Sequence, residues 1–132
     1  MNAVDSFRAS LERCLATPEF MKDFYGRFVA SSEEIREKFK HTDFARQNRV
    51  LVDSLLLMAA AAQSAPDAIA WREIKHICLR HRELGITGPM YDVWLACLMA
   101  AAAAHDPQFS PELDAAWRET LAPGIEFMRA RV

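Results

Sequence analysis

Apolar residues recur along this chain at intervals of three and four, the spacing of one helix face, and no stretch sustains the period-two alternation of a half-buried strand. Over residues 5–16 the positions Phe7, Leu11 and Leu15 predict a narrow stripe on a first helix. Thr17-Pro18 follows as a capping residue and a proline at the first helical position, where its missing N–H costs nothing. The second helix then buries Phe20, Met21, Phe24, Phe28 and Val29, with Tyr25 on the same face between Met21 and Val29. A phenol aimed inward needs a hydrogen-bond partner.

Ser31 with Glu34 three residues on reads as a capping box for a short third helix that carries Ile35 and ends near Phe39. Thr42-Asp43 offers the next N-cap, and the line Phe44, Gln47, Leu51, Leu55, Met58 predicts a fourth helix with a single polar residue, Gln47, on an otherwise apolar face. Gln63-Ser64-Ala65-Pro66 interrupts the pattern. On the fifth helix Ile74, Ile77, Cys78, His81 and Leu84 face inward, while Arg72, Glu73, His76 and Arg80 share the opposite side. Gly85 suits a left-handed cap, and Thr87-Gly88-Pro89 starts a sixth, strongly apolar helix through Tyr91, Trp94, Leu95 and Leu98 to Ala104, expected to be the most buried. His105-Asp106-Pro107 ends it. Ser110-Pro111 opens the last helix, with Leu113, Trp117, Leu121, Ile125 and Met128 inward and Pro123-Gly124 expected to kink it or end it early. The fold class is therefore all-α, six main helices and one short one in a single domain over residues 1–132.

Composition narrows the functions available. With 52% hydrophobic and 26% charged residues, the 132-residue chain can bury a core without disulfides. Its net charge of −2, with Lys and Arg alternating with Asp and Glu, lacks the clustered cations that nucleic acid requires. Cys14, Cys78 and Cys97 are far apart and odd in number, so they read as reduced thiols. The start has charged residues where a signal peptide needs an apolar run, and the longest apolar run, 55–62, is too short to span a bilayer. The expectation is a cytoplasmic protein with no membrane or nucleic-acid partner.

Periodicity alone leaves His81 and Tyr25 as core residues and Gln47 as a glutamine that reaches solvent. Spacing adds more. FYGRFVASSEEIREKF puts Tyr25 fourteen residues before Phe39, and KHICLRHRELGITGPMY puts His81 ten before Tyr91, with Leu84-Gly85-Ile86 between and Trp117 on the last helix. In these residues the chain resembles the globins, and most closely the haem domain of bacterial flavohaemoglobins and single-domain bacterial haemoglobins, from about Phe20 to Trp117.

The resemblance implies a three-over-three helical sandwich around haem b. His81 would ligate the iron, Phe39 would lie against the porphyrin, Tyr25 and Gln47 would donate hydrogen bonds over the open face, and Leu51 would close the pocket. Tyr91 would stand beside His81, and Arg80 is a candidate for the propionates. Dioxygen, nitric oxide or carbon monoxide would be the ligand.

Two departures stand out. Phe39 and Gln47 are eight apart, two fewer than in flavohaemoglobins, which means a tightened corner or a different distal residue, Asn48 or Val50. The glutamate that tunes the proximal histidine in that family has no clear counterpart, Glu126 serving only if the Pro123 kink turns it inward. No G-x-G-x-x-G or second domain supplies a reductase, so nitric oxide dioxygenation would need a separate one.

Other readings compete. Glu73-Ile74-Lys75-His76 is one Glu-x-x-His motif, whereas a di-iron bundle needs two, and this one faces solvent. A gas sensor or a haem-free interaction module on the same fold is the stronger rival. The alanine-rich stretch 95–104 also leaves homo-oligomerisation open.

Overall fold

The computed structural model describes residues 1–132 and contains seven helices and no strand. They are α1 (Ala3–Leu15), α2 (Glu19–Ala30), α3 (Glu33–Lys38), α4 (Phe44–Ala62), α5 (Ile69–Glu83), α6 (Gly88–His105) and α7 (Pro111–Arg129). Helices α2, α6 and α7 pack side by side, and α1, α4 and α5 lie against them, chiefly through α1 on α7 and α4 on α7. Helices α5 and α6 meet at a bend of 115°. No single helix is long and apolar enough to cross a membrane.

Most starts and stops follow the local chemistry. Asp43 caps α4 by accepting from the N–H groups of Ala45 and Arg46, and Ser110 caps α7 by accepting from Leu113. Gly85 ends α5 with φ of 74°, in the left-handed region that glycine enters without steric cost. The cap of α3 is Ser32 rather than Ser31: Ser32 Oγ accepts from the Ile35 N–H at 3.1 Å, while Ser31 Oγ turns back to donate to the Phe28 carbonyl. Either serine has the right chemistry, and the backbone direction leaving α2 selects between them.

Three expectations of burial fail for geometric reasons. Leu15 is 38% exposed because α1 turns its Cys14 inward at that point, and Leu84 is 49% exposed because it caps α5 beyond the last packed turn. Helix α6 is not buried all round: Trp94 and Leu95 are half-buried, and Ala96, Ala103 and Ala104 face solvent. Nor does Pro123 stop α7, which runs on to Arg129. Proline removes one backbone hydrogen bond, but the buried positions either side, Leu121, Ile125 and Met128, hold the helix to the core through the break. Gly124 lets α4 approach there, since a Cβ at that position would lie 2.9 Å from Met58 Cγ.

The end of the molecule away from the cavity described below is pinned by a polar cluster. Asp106, where α6 stops, accepts from Arg13 Nε at 2.7 Å and from Ser10 Oγ, and Ser10 in turn accepts from Trp117 Nε1 at 2.9 Å. Phe7 packs its ring edge against Trp117 at 4.8 Å. Helices α1, α6 and α7 are thereby tied by groups whose polar atoms satisfy one another, the condition for burying them at acceptable cost. A second pin joins α2 to α6, His105 Nε2 lying 2.9 Å from Asp23 Oδ2.

Candidate functional site

Between the two layers lies a cavity of about 150 Å³, partly open to solvent and lined by 19 residues, 15 of them hydrophobic. Six helices contribute to its wall beside the loop residue Ile86 and the α3 cap Phe39: α2 through Tyr25 and Phe28, α3 through Ile35 and Lys38, α4 through Gln47, Val50, Leu51 and Met58, α5 through Ile74, Ile77 and His81, and α6 and α7 through Tyr91, Trp94, Ile125 and Met128.

The cavity brings together six of the seven residues predicted from sequence: Tyr25, Phe39, Gln47, Leu51, His81 and Tyr91. Arg80 is the exception. It is exposed, 3.9 Å from Glu83, and absent from the cavity wall because the step of one residue from His81 rotates it about 100° round the helix. The charged side chain on the wall is Lys38, which the sequence reading passed over. Its Nζ donates to the Leu84 carbonyl at 2.8 Å and ties the end of α3 to the end of α5. The nearby φ-positive Gly85 was the only hint of that acceptor, since a helix end leaves carbonyls unsatisfied.

His81 is half-buried, and its Nδ1 is 2.7 Å from the Ile77 carbonyl one turn back. A carbonyl only accepts, so Nδ1 carries the proton and Nε2, at the far side of the ring, keeps its lone pair. The Tyr91 ring stands beside it, centroids 6.2 Å apart. Glu126 is exposed, because α7 continues without turning there. The backbone carbonyl therefore orients the imidazole where a carboxylate was sought.

On the opposite helix pair, the Tyr25 hydroxyl donates to the Gln47 carbonyl at 3.4 Å, a long bond that leaves the group easily redirected. Burial pushes the Tyr25 phenol up to about 12, the Gln47 hydrogen bond opposing, so it remains a protonated donor at neutral pH. Tyr91 is likewise pushed up to about 12, by burial and then by the neighbouring Cys78. Phe39 caps α3, and the chain reaches α4 after only residues 39–43, through turns from Lys40 to Glu37 and Thr42 to Phe39. The corner is thus tightened, and Gln47 stays on the cavity wall while Asn48 faces a separate outer recess.

The donor set suits a planar, largely apolar macrocycle with a metal at its centre: a free imidazole nitrogen, aromatic and aliphatic walls, and two hydrogen-bonding groups, Tyr25 and Gln47. Comparison with known proteins agrees in kind. A search of the curated proteins found no match. The crystal structure of a protein from Pseudomonas aeruginosa PAO1, described as structurally highly homologous to a human hemoglobin, superposes with a TM-score of 0.90 at 33% identity, covering 98% of both chains. The globin family model matches residues 22–125, most of the chain, and the chain belongs to the globin family.

Proposed function

We propose that this chain holds haem b in the cavity through His81 and binds a diatomic gas, dioxygen foremost, on the side of Tyr25 and Gln47. Haem supplies, when bound, the metal that takes such a ligand; the chain supplies its orientation and its surroundings. The observation that carries the reading is a single apolar cavity lined by both a histidine with Nδ1 committed to Ile77 and a tyrosine that stays protonated.

Each residue has a defined task. His81 Nε2 donates its lone pair, and the Ile77 carbonyl holds the ring in that tautomer. A neutral carbonyl draws less on the Nδ1 proton than a carboxylate does, so the imidazole is the less electron-rich ligand. That favours reversible retention over oxygen activation. Tyr25 and Gln47 offer an O–H and an N–H to an electron-rich diatomic ligand, and Leu51 and Met58 keep water away, which strengthens any such bond. Phe39 covers the macrocycle's face.

Titrating the apoprotein with haemin tests this directly. A Soret band at one equivalent, weakened or lost in His81→Ala while far-ultraviolet circular dichroism is unchanged, is the expected result. Wild-type protein that binds no haemin would end the proposal in favour of a haem-free module.

A further inference from the structure

The hydrogen bond of the Tyr25 hydroxyl does not set its direction. That bond spans 3.4 Å to the Gln47 carbonyl, a length at which the angle is only weakly constrained. Rings set it instead. Phe24 meets the Tyr25 ring edge to face at 4.8 Å, Phe44 does so at 5.3 Å, and Phe39 lies tilted against it at 5.9 Å. Aromatic pairs favour such arrangements because a ring's edge is positive and its face negative, so each neighbour restricts the tilt of the phenol.

Of the three, only Phe44 reaches Tyr25 from another part of the fold. Phe24 is its neighbour on α2, and Phe39 caps α3, which packs on α2. Phe44 opens α4, whereas α2 packs chiefly on α6 and α3, and α4 chiefly on α7 and α5. The Phe44 ring also stacks on Phe39, with centroids 6.2 Å apart and planes 17° from parallel. It thus touches both the phenol assigned to the gas ligand and the ring assigned to the macrocycle's face, yet it is not part of the cavity wall. Any effect it has on a ligand passes through Tyr25 and Phe39.

The backbone under Phe44 is fixed as well. Asp43 accepts from the N–H groups of Ala45 and Arg46 through its side chain, and its carbonyl accepts from the Gln47 N–H at 2.9 Å. Phe44 therefore sits inside a capped first turn, one turn before Gln47. At 38% exposed, its ring adds less to the core than the buried rings around it, so its contacts bear more on the orientation of Tyr25 than on the stability of the fold.

We propose that Phe44 is a positioning residue for the ligand side of the cavity: from outside the wall, its ring keeps the Tyr25 hydroxyl aimed inward and Phe39 at its tilt. This role rests on the haem reading above.

Infrared spectroscopy of the carbon monoxide complex of the haem-loaded protein is the test, because a hydrogen-bond donor at the ligand's oxygen lowers the C–O stretching frequency. The wild type should give one dominant band. Phe44→Ala should add a component at higher frequency, from molecules whose Tyr25 has turned away, and should speed dioxygen release about fivefold, short of the roughly tenfold expected from deleting the hydroxyl itself. Phe44→Leu, which keeps apolar bulk without a flat ring, should move both readouts in the same direction, and Phe44→Tyr, which keeps the ring, should match the wild type. In the Tyr25→Phe background, Phe44→Ala should add nothing to either readout, a non-additivity that a merely structural residue would not show. An unchanged band in Phe44→Ala, or the same increment with and without the Tyr25 hydroxyl, would overturn the role and leave the haem reading standing. Failure to form any carbon monoxide complex would remove both. Nuclear Overhauser contacts between the Tyr25 and Phe39 rings in the apoprotein give a readout independent of haem: they should weaken in Phe44→Ala, and contacts kept at full strength count against the proposal.

Discussion

The two ends of this molecule solve opposite problems with similar materials. At the α1, α6 and α7 end, Asp106, Ser10, Arg13 and Trp117 satisfy one another through short bonds, and Asp106 and Ser10 are buried. At the cavity end, Tyr25 has one long bond, His81 has one committed nitrogen and one free, and Val50 and Leu84 remain exposed. Saturated polar groups at the first end leave nothing to bind and hold the fold. At the second, the Tyr25 and His81 side chains keep hydrogen-bonding capacity that no other side chain of the protein takes up.

That contrast can be broken from either side. The largest effect on stability should come from Asp106→Asn, which strips the carboxylate from Arg13 and disrupts the Ser10 and Trp117 chain. Urea unfolding should show a loss of about 3 kcal/mol, with haemin affinity in the folded protein retained. A loss below about 1 kcal/mol would mean that the cluster is ornamental to the fold.

The same aspartate sets an acid limit. Burial raises the Asp106 carboxyl, but the Arg13 and Ser10 side chains and the Gln108 N–H outweigh it and hold it below its ordinary range. A depressed folded value stabilises the protein above the unfolded value of about 3.9, and that stability is lost as pH falls through the lower folded value. Asp106→Asn should therefore show a shallower decline in stability below about pH 4 than the wild type. Parallel curves would show that Asp106 is not the group responsible.

Gly124→Ala couples the two ends. The new Cβ would sit 2.9 Å from Met58 Cγ, and Met58 lines the cavity, so the methionine must shift towards it. Overpacking costs about 1–3 kcal/mol, and the better helix propensity of alanine returns about 1. Haemin affinity should fall more than apoprotein stability does. Equal losses in both would place the damage in helix packing rather than in the cavity.

Smaller changes probe the donors. Tyr25→Phe should speed dioxygen release roughly tenfold, the equivalent of about 1.4 kcal/mol for one hydrogen bond, as followed by stopped-flow; an unchanged rate would remove Tyr25 from contact with the ligand. The smallest effect is expected of Lys38→Met. It deletes the tie to the Leu84 carbonyl, so haemin loss to an acceptor globin should quicken by a factor of about 2–5, the range for one exposed hydrogen bond.

Much of this was legible beforehand for reasons visible in particular residues. Helix ends depend on groups within four residues, so Asp43, Gly85 and Ser110 marked theirs correctly. Tyr25, Phe39, His81 and Tyr91 could be singled out because their spacings resemble those of the globins, where periodicity alone left Tyr25 and His81 as core residues. Lys38 and the Ile77 carbonyl could not, since a lysine on a charged helix and a backbone oxygen look alike at every position. Arg80 neighbours His81 in sequence but lies off the cavity wall, because one step along a helix is an angular separation rather than proximity.

The sequence by itself determined the helices, the inward faces and the presence of one histidine and one tyrosine with the spacing of a globin, because these follow from local backbone chemistry and period. Tertiary structure alone decided that the corner 39–43 keeps Gln47 on the cavity wall and that Glu126 faces solvent. Those outcomes depend on how whole helices settle against one another, where a rotation of one residue moves a side chain from a cavity to water.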